Sequence, residues 1–205
     1  MFTEKTVQNG KEFIQKLDEG FVCLHGTDTV PGVSFHPLKP GAKGELSNIK
    51  GRELAKPCIG LVGSLKKAQK FWQPLPEMWL QKLGQLWPGP LTVVWKASPE
   101  APMTLVGDDG TIGLRVPSLP EDSSTEWVLQ NIEYPLPTTS VNRAGQPTLV
   151  ELEDCVSFLS QFPKSFSPEI SQTEIKQGML PSTIIKINET GFEMLREGSF
   201  SREEL

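Results

Sequence analysis

The sequence predicts an α/β domain built on a mixed sheet, and three observations carry that prediction. Short apolar runs of strand length are interspersed with amphipathic stretches of helical spacing along all 205 residues. Some strand candidates are linked by brief turn-rich segments and others by helices, so antiparallel and parallel pairings must coexist. No repeat, low-complexity tract or Gly/Ser/Pro-rich linker divides the chain, whose length fits one domain over residues 1–205.

From the N-terminus, Phe13, Ile14 and Leu17 fall at helical spacing between Asn9, a capping residue, and Gly20, a stop. Phe21 to Leu24 and Val30 to Phe35 are strand-like and flank the turn-rich Thr27-Asp28-Thr29. Ala42, Leu46 and Ile49 mark a helix that runs into Lys50-Gly51-Arg52. Cys58 to Val62 reads as a buried strand, Leu65 to Trp72 and Leu75 to Trp87 as helices, and Leu91 to Trp95 as a strand. Ile112 to Val116, Leu136 to Val141, Ile184 to Ile187 and Phe192 to Leu195 add strands, with helices near Ser124 to Ile132 and Glu151 to Phe162. Trp87 to Thr92, with Pro88, Gly89 and Pro90, reads as a rigid turn from helix to strand.

Composition narrows the chemistry. Three cysteines, Cys23, Cys58 and Cys155, without a CxxC pair fit reduced thiols better than a disulfide scaffold or a zinc module. No run approaches a membrane span and the N-terminal residues lack a signal-peptide pattern, so a cytoplasmic protein is expected. The net charge of −5 offers no global attraction for nucleic acid, so a polyanion has to meet a local cluster. Two histidines, His25 and His36, sit outside any ligand spacing, and the P-loop, GxGxxG and GxSxG patterns are absent. Gly107, Gly110 and Gly113 are spaced suggestively, but Asp108-Asp109-Gly110 reads better as a hairpin turn.

Five groups of residues have chemical potential. Lys50 and Arg52 flank Gly51 where helix gives way to extended chain, which would turn both cations to one side, with Lys56 close by. That arrangement suits a triphosphate, and these residues also fit a solvated helix end whose cations answer the helix dipole. Ser140 and Asn142 have the same spacing after a short strand, either as ligand contacts or as turn formers. Arg115 lies in a β-like apolar run and needs a partner, whether a ligand carboxylate or an internal ion pair. Thr27 and Thr29 can cap a turn or touch a ligand, and Ser182 and Arg196 border the last two strands.

Read in order, these pieces resemble the YrdC-like family, the threonylcarbamoyl-adenylate synthases. The resemblance runs from about residue 10 to 205 through Thr27 to Val30, Lys50-Gly51-Arg52, Trp87 to Thr92, Gly113 to Pro117, Ser140-Val141-Asn142, Pro181 to Ile185 and Leu195 to Gly198. It implies a twisted mixed sheet with helices around a large concave cleft. It also implies a reaction joining L-threonine, bicarbonate and ATP into threonylcarbamoyl-adenylate and pyrophosphate, for threonylcarbamoyladenosine modification of tRNA. By the resemblance Lys50, Arg52, Lys56, Thr111, Asn142 and Arg196 bind ATP, while Thr29, Arg115, Ser140 and Ser182 bind threonine. No protein nucleophile is needed, because the threonine amine and then its carbamate attack, and magnesium is expected to travel with the ATP. Threonylcarbamoyl transferase proteins and tRNA are the implied partners, and a chain ending at Leu205 is expected to be the single-domain form.

The chain departs from the family pattern chiefly near the amino-acid side. Pro31 replaces a tyrosine, Gly26 a proline and Ser34 a glycine, while Leu61, Ala144 and Val150 stand where a histidine, a serine and a threonine occur. Two other readings therefore accompany the synthase: a paralogue that binds nucleotide without synthesis, and a module that binds RNA in the cationic cleft.

Overall fold

The computed structural model describes residues 2–53, 57–169 and 180–205. Helix α1 (Glu4–Asp18) begins earlier than expected: Thr3, not Asn9, is the N-cap, its hydroxyl accepting the Thr6 N–H at 3.1 Å. Nothing between Thr3 and Asn9 breaks a helix, so the first available cap wins. Gly10 lets α1 lie against α5 (Ser124–Asn131), because a Cβ there would sit 2.2 Å from Trp127 Cε3.

The strands are β1 (Val22–His25), β2 (Gly32–Ser34), β3 (Ile59–Leu61), β4 (Leu91–Lys96), β5 (Thr111–Arg115), β6 (Leu136–Ser140), β7 (Ser165–Phe166), β8 (Thr183–Ile187) and β9 (Phe192–Arg196). Among the described residues they form one sheet in the order β7-β1-β2-β6-β3-β5-β4-β8-β9. β1/β7, β3/β5 and β4/β8 pair in parallel and the other neighbours antiparallel, as the two kinds of connection require. The remaining helices are α2 (Ala42–Lys50), α3 (Leu65–Phe71), α4 (Glu77–Leu86) and α6 (Leu152–Leu159). Asp108-Asp109-Gly110 forms the expected turn, closed by the Gly110 N–H on Gly107 O at 2.9 Å, although it feeds β5 after a longer loop.

Alternation distributes the core over both faces of the sheet. Cys23, Leu61 and Leu136 pack with Phe13, Leu17 and Val128 of α1 and α5. Leu24 and Val33 face the other way, toward Leu46 and Ile49 of α2 and Cys155 of α6. A third cluster joins α3 and α4 to β4, β5 and β8 through Phe71, Trp79, Leu83, Leu91, Val93, Leu114 and Ile185. All three thiols are free, with Cys23 and Cys155 buried and Cys58 partly so. No helix among the described residues is long and apolar enough to cross a membrane.

Candidate functional site

The ends of β2, β6 and β5 meet the C-terminus of α2 and the β8–β9 pair around a cavity of about 570 Å³. Its walls include Thr29, Lys50, Arg52, Arg115, Ser140, Asn142, Ser182 and Arg196, so eight of the ten proposed ligand residues converge although they come from distant parts of the chain. Lys56 lies outside the described residues.

Thr111 does not join them. It shares a sheet face with Arg115 but lies four residues away, about 13 Å at strand rise. It is not among the cavity-lining residues, and its hydroxyl donates to Asp109 Oδ1 at 2.7 Å.

The expected pairing of Lys50 and Arg52 arises differently from the alternation of extended chain. Lys50 is the last residue of α2, and Gly51 caps the helix in the left-handed region at φ 71°. The side chains consequently part: Lys50 is buried and Arg52 is exposed at the rim, though both line the cavity. Lys50 Nζ donates to Ser140 O and to Asn142 Oδ1, both at 2.7 Å. Ser140 Oγ donates to the same Asn142 oxygen at 2.8 Å, and Asn142 Nδ2 donates to Gln146 O at 2.7 Å. Ser140 and Asn142 are thus more than turn formers, because they hold the lysine in place. Burial pushes the Lys50 ammonium down from its ordinary 10.5 to about 8; neighbouring Cys58 opposes the shift and Arg52 adds to it.

For Arg115 the structure supplies an internal partner. Its Nη2 lies 3.1 Å from Asp28 Oδ1, with both side chains 3% exposed, and its Nη1 donates to Thr29 Oγ1 at 3.0 Å. Asp28 Oδ2 accepts the Ser118 N–H at 3.0 Å, which ties the 26–31 loop to the chain beyond β5. The Arg115 Nε–H is buried without a hydrogen-bond partner. Arg115 therefore makes its ion pair and keeps a donor in reserve. Thr27 donates to Val30 O at 2.8 Å and accepts the Thr29 N–H at 3.1 Å, so the turn role read for it is present. Thr27 and Thr29 Oγ1 are 3.0 Å apart, which leaves the Thr29 hydroxyl donating to Thr27.

On the opposite wall Arg196 is exposed, with Nη2 donating to Ser182 O at 2.7 Å and to Ser182 Oγ at 3.1 Å. Burial lowers the Arg196 pKa, but a guanidinium remains charged. Gly198 permits this junction, since a Cβ there would meet Pro181 O at 2.1 Å.

Sequence reasoning passed over Asp28, Thr138, Thr139, Thr148 and Cys58. Asp28 was visible only as a turn residue between two threonines. Strand alternation back from Ser140 leads to Thr138 and was the available signal. Among the described residues the cavity lining carries hydroxyls, an amide and cations but no carboxylate or imidazole, a set suited to an anion. Among the described residues no cluster of three or more His, Cys, Asp or Glu is placed to hold a metal ion.

Comparison with known proteins accords with this geometry. Residues 15–198 match the Sua5/YciO/YrdC family, described as "Telomere recombination". A threonylcarbamoyl-AMP synthase of Coxiella burnetii is 28% identical over 146 residues, covering 71% of this chain and 77% of the relative. One from Pseudomonas syringae pv. syringae is 30% identical over 133 residues, covering 65% and 70%. Among solved structures, E. coli YciO superposes with a TM-score of 0.82 at 18% identity, over 99% of this chain and 95% of that one. P. abyssi Sua5 complexed with L-threonine gives 0.78 at 23% identity, over 98% of this chain but only 55% of the longer Sua5 chain. At these identities the superpositions establish the fold. A family match spanning nearly the whole chain, on the same mixed sheet, means that this protein belongs to the Sua5/YciO/YrdC family.

Proposed function

We propose that this chain is a threonylcarbamoyl-AMP synthase, which condenses L-threonine, bicarbonate and ATP into threonylcarbamoyl-adenylate, pyrophosphate and water. The observation that carries the reading is one cavity with two cationic stations. Lys50, Arg52 and Arg196 suit a polyphosphate, and Arg115, with its unpaired Nε–H, suits a carboxylate. The curated relatives bear this name, and a structural relative holds L-threonine.

In this reading the threonine amine attacks the bicarbonate carbon and water leaves. A carbamate oxygen then attacks the ATP α-phosphorus, and the α–β bridging oxygen departs with pyrophosphate. Both nucleophiles belong to the substrates, so the protein's work is positioning and charge stabilisation. Lys50 is held by Ser140 and Asn142 with one N–H left over, which it directs to phosphate. Arg52 at the rim and Arg196 on the far wall meet the charge transferred to pyrophosphate. Magnesium enters as part of the ATP substrate, bound to its phosphates. The product, a reactive mixed anhydride, passes to a transferase that acts on adenosine in tRNA.

The test is pyrophosphate release from ATP and bicarbonate with each amino acid in turn. Release that requires both bicarbonate and threonine is expected. ATP binding without release under any combination would identify a nucleotide-binding paralogue instead.

A further inference from the structure

We propose that Thr138 is an acceptor that reads a hydroxyl on the side chain of the bound amino acid, and that His25 holds it in this role. The inference rests on the preceding reading, in which the amino acid occupies the cavity.

Thr138 stands two residues before Ser140 on β6, so both side chains project from one face of the sheet, and both line the cavity. His25, at the end of β1, is 1% exposed. Its Nδ1 is 3.1 Å from Gly26 O and its Nε2 is 2.8 Å from Thr138 Oγ1. β2 runs between the two strands, and the bond crosses it at Gly32, which is registered opposite His25. A Cβ on Gly32 would sit 2.5 Å from Thr138 Oγ1 and 2.8 Å from His25 Nε2. Only a residue without a side chain admits this contact.

The proton positions follow from the partners. A carbonyl oxygen can only accept, so Nδ1 carries the proton toward Gly26. Burial holds the imidazole neutral, its pKa pushed down to about 4 despite the Gly26 bond, with the Arg115 charge acting in the same direction as burial. Nε2 is then a bare lone pair, and the single hydroxyl proton of Thr138 goes to it. What Thr138 turns to the cavity is an oxygen that accepts and cannot donate.

Such an oxygen selects an O–H or N–H group. The amine is the nucleophile and must turn its lone pair toward bicarbonate, near the phosphates held by Lys50 and Asn142. The side chain is left for Thr138, so the substrate class is a β-hydroxy amino acid. Valine, which matches threonine in shape but places a methyl at the hydroxyl position, leaves the acceptor lone pair that Thr138 turns to the cavity without a donor and is rejected.

The experiment measures threonine and valine affinities by calorimetry, in the presence of a non-hydrolysable ATP analogue, for the wild type, Thr138→Val, Thr138→Ser and His25→Phe. Each protein is checked for folding by circular dichroism. A wild-type preference for threonine of about tenfold or more is expected. Thr138→Val should bring the two affinities within about threefold by weakening threonine alone, whereas Thr138→Ser should keep the preference. His25→Phe frees the hydroxyl to rotate and should reduce the ratio in between. An unchanged ratio in folded Thr138→Val or His25→Phe, with threonine still bound, overturns this inference and leaves the synthase reading intact. Failure of the wild type to bind any amino acid while binding the ATP analogue overturns both. Should Thr138→Val not fold, the contrast between Thr138→Ser and His25→Phe decides by the same ratio.

Discussion

Lys50 is a cation held where water has been largely withdrawn, and the consequence is a pair of opposite pH dependences. Its folded pKa of about 8 lies below the ordinary 10.5, so between those values the unfolded chain binds the proton more readily. Stability should therefore rise with pH across that window, as the buried ammonium is relieved of its charge. Phosphate binding needs the same charge, so ATP affinity should fall as pH climbs above about 8. Calorimetric titrations on either side of that value, near neutrality and well into the alkaline range, check this, and Lys50→Gln should flatten the dependence. Arg115 depends on its neighbour in another way. Asp28 is its ion-pair partner, both are nearly fully buried, and Asp28→Asn leaves a buried guanidinium uncompensated. A loss of about 3–5 kcal/mol in urea unfolding is expected. A loss below about 1 kcal/mol would show that the pair contributes little to holding the loop.

At the level of elements, α2 places the cations proposed for the nucleotide, and its glycines separate conformation from packing. Gly51 holds φ 71° at the C-cap, with Arg143 Nη1 3.0 Å from where a Cβ would stand. Gly51→Ala should cost about 1 kcal/mol and weaken ATP binding, because it disturbs the turn that sends Lys50 inward and Arg52 to the rim. Gly44, inside the same helix and exposed, has open space where a Cβ would stand, with no atom within 4 Å. Gly44→Ala should gain about 0.5–1 kcal/mol and leave ATP affinity unchanged. Urea midpoints and nucleotide titrations on the two variants test the contrast.

Across the whole molecule, the cavity draws on residues from both halves of the sheet, from β2 and β6 on one side to β8 and β9 on the other. A ligand that fills it should therefore stabilise the fold as a unit. ATP at about 100 times its dissociation constant should add roughly 2.7 kcal/mol to the free energy of unfolding, seen as a rise in melting temperature. Arg52→Ala, losing a charge-assisted phosphate contact of about 1.5–3 kcal/mol, should show much less of that rise at the same ATP concentration.

The amino-acid order was sufficient wherever the cause is local. The helical spacing of Ala42, Leu46 and Ile49 led to α2, and the apolar run from Leu91 to Trp95 led to β4, because period and propensity act over a few residues. Motif order brought eight of the ten proposed ligand residues to one cavity. The two-residue strand β7 has no comparable signal: it exists because β1 offers an edge, where the Val22 N–H donates to Lys164 O. Thr111 was carried to the site by motif order, and four residues of strand rise keep it away. The bonds at the proposed amino-acid end join residues 86 and 113 positions apart, Thr29 with Arg115 and His25 with Thr138. What the sequence by itself determined was the class of fold, most of its elements and the residue types of the site. Only the tertiary structure decided which donor meets which acceptor, since a hydrogen bond forms or fails within a few tenths of an ångström and that placement belongs to the packed sheet.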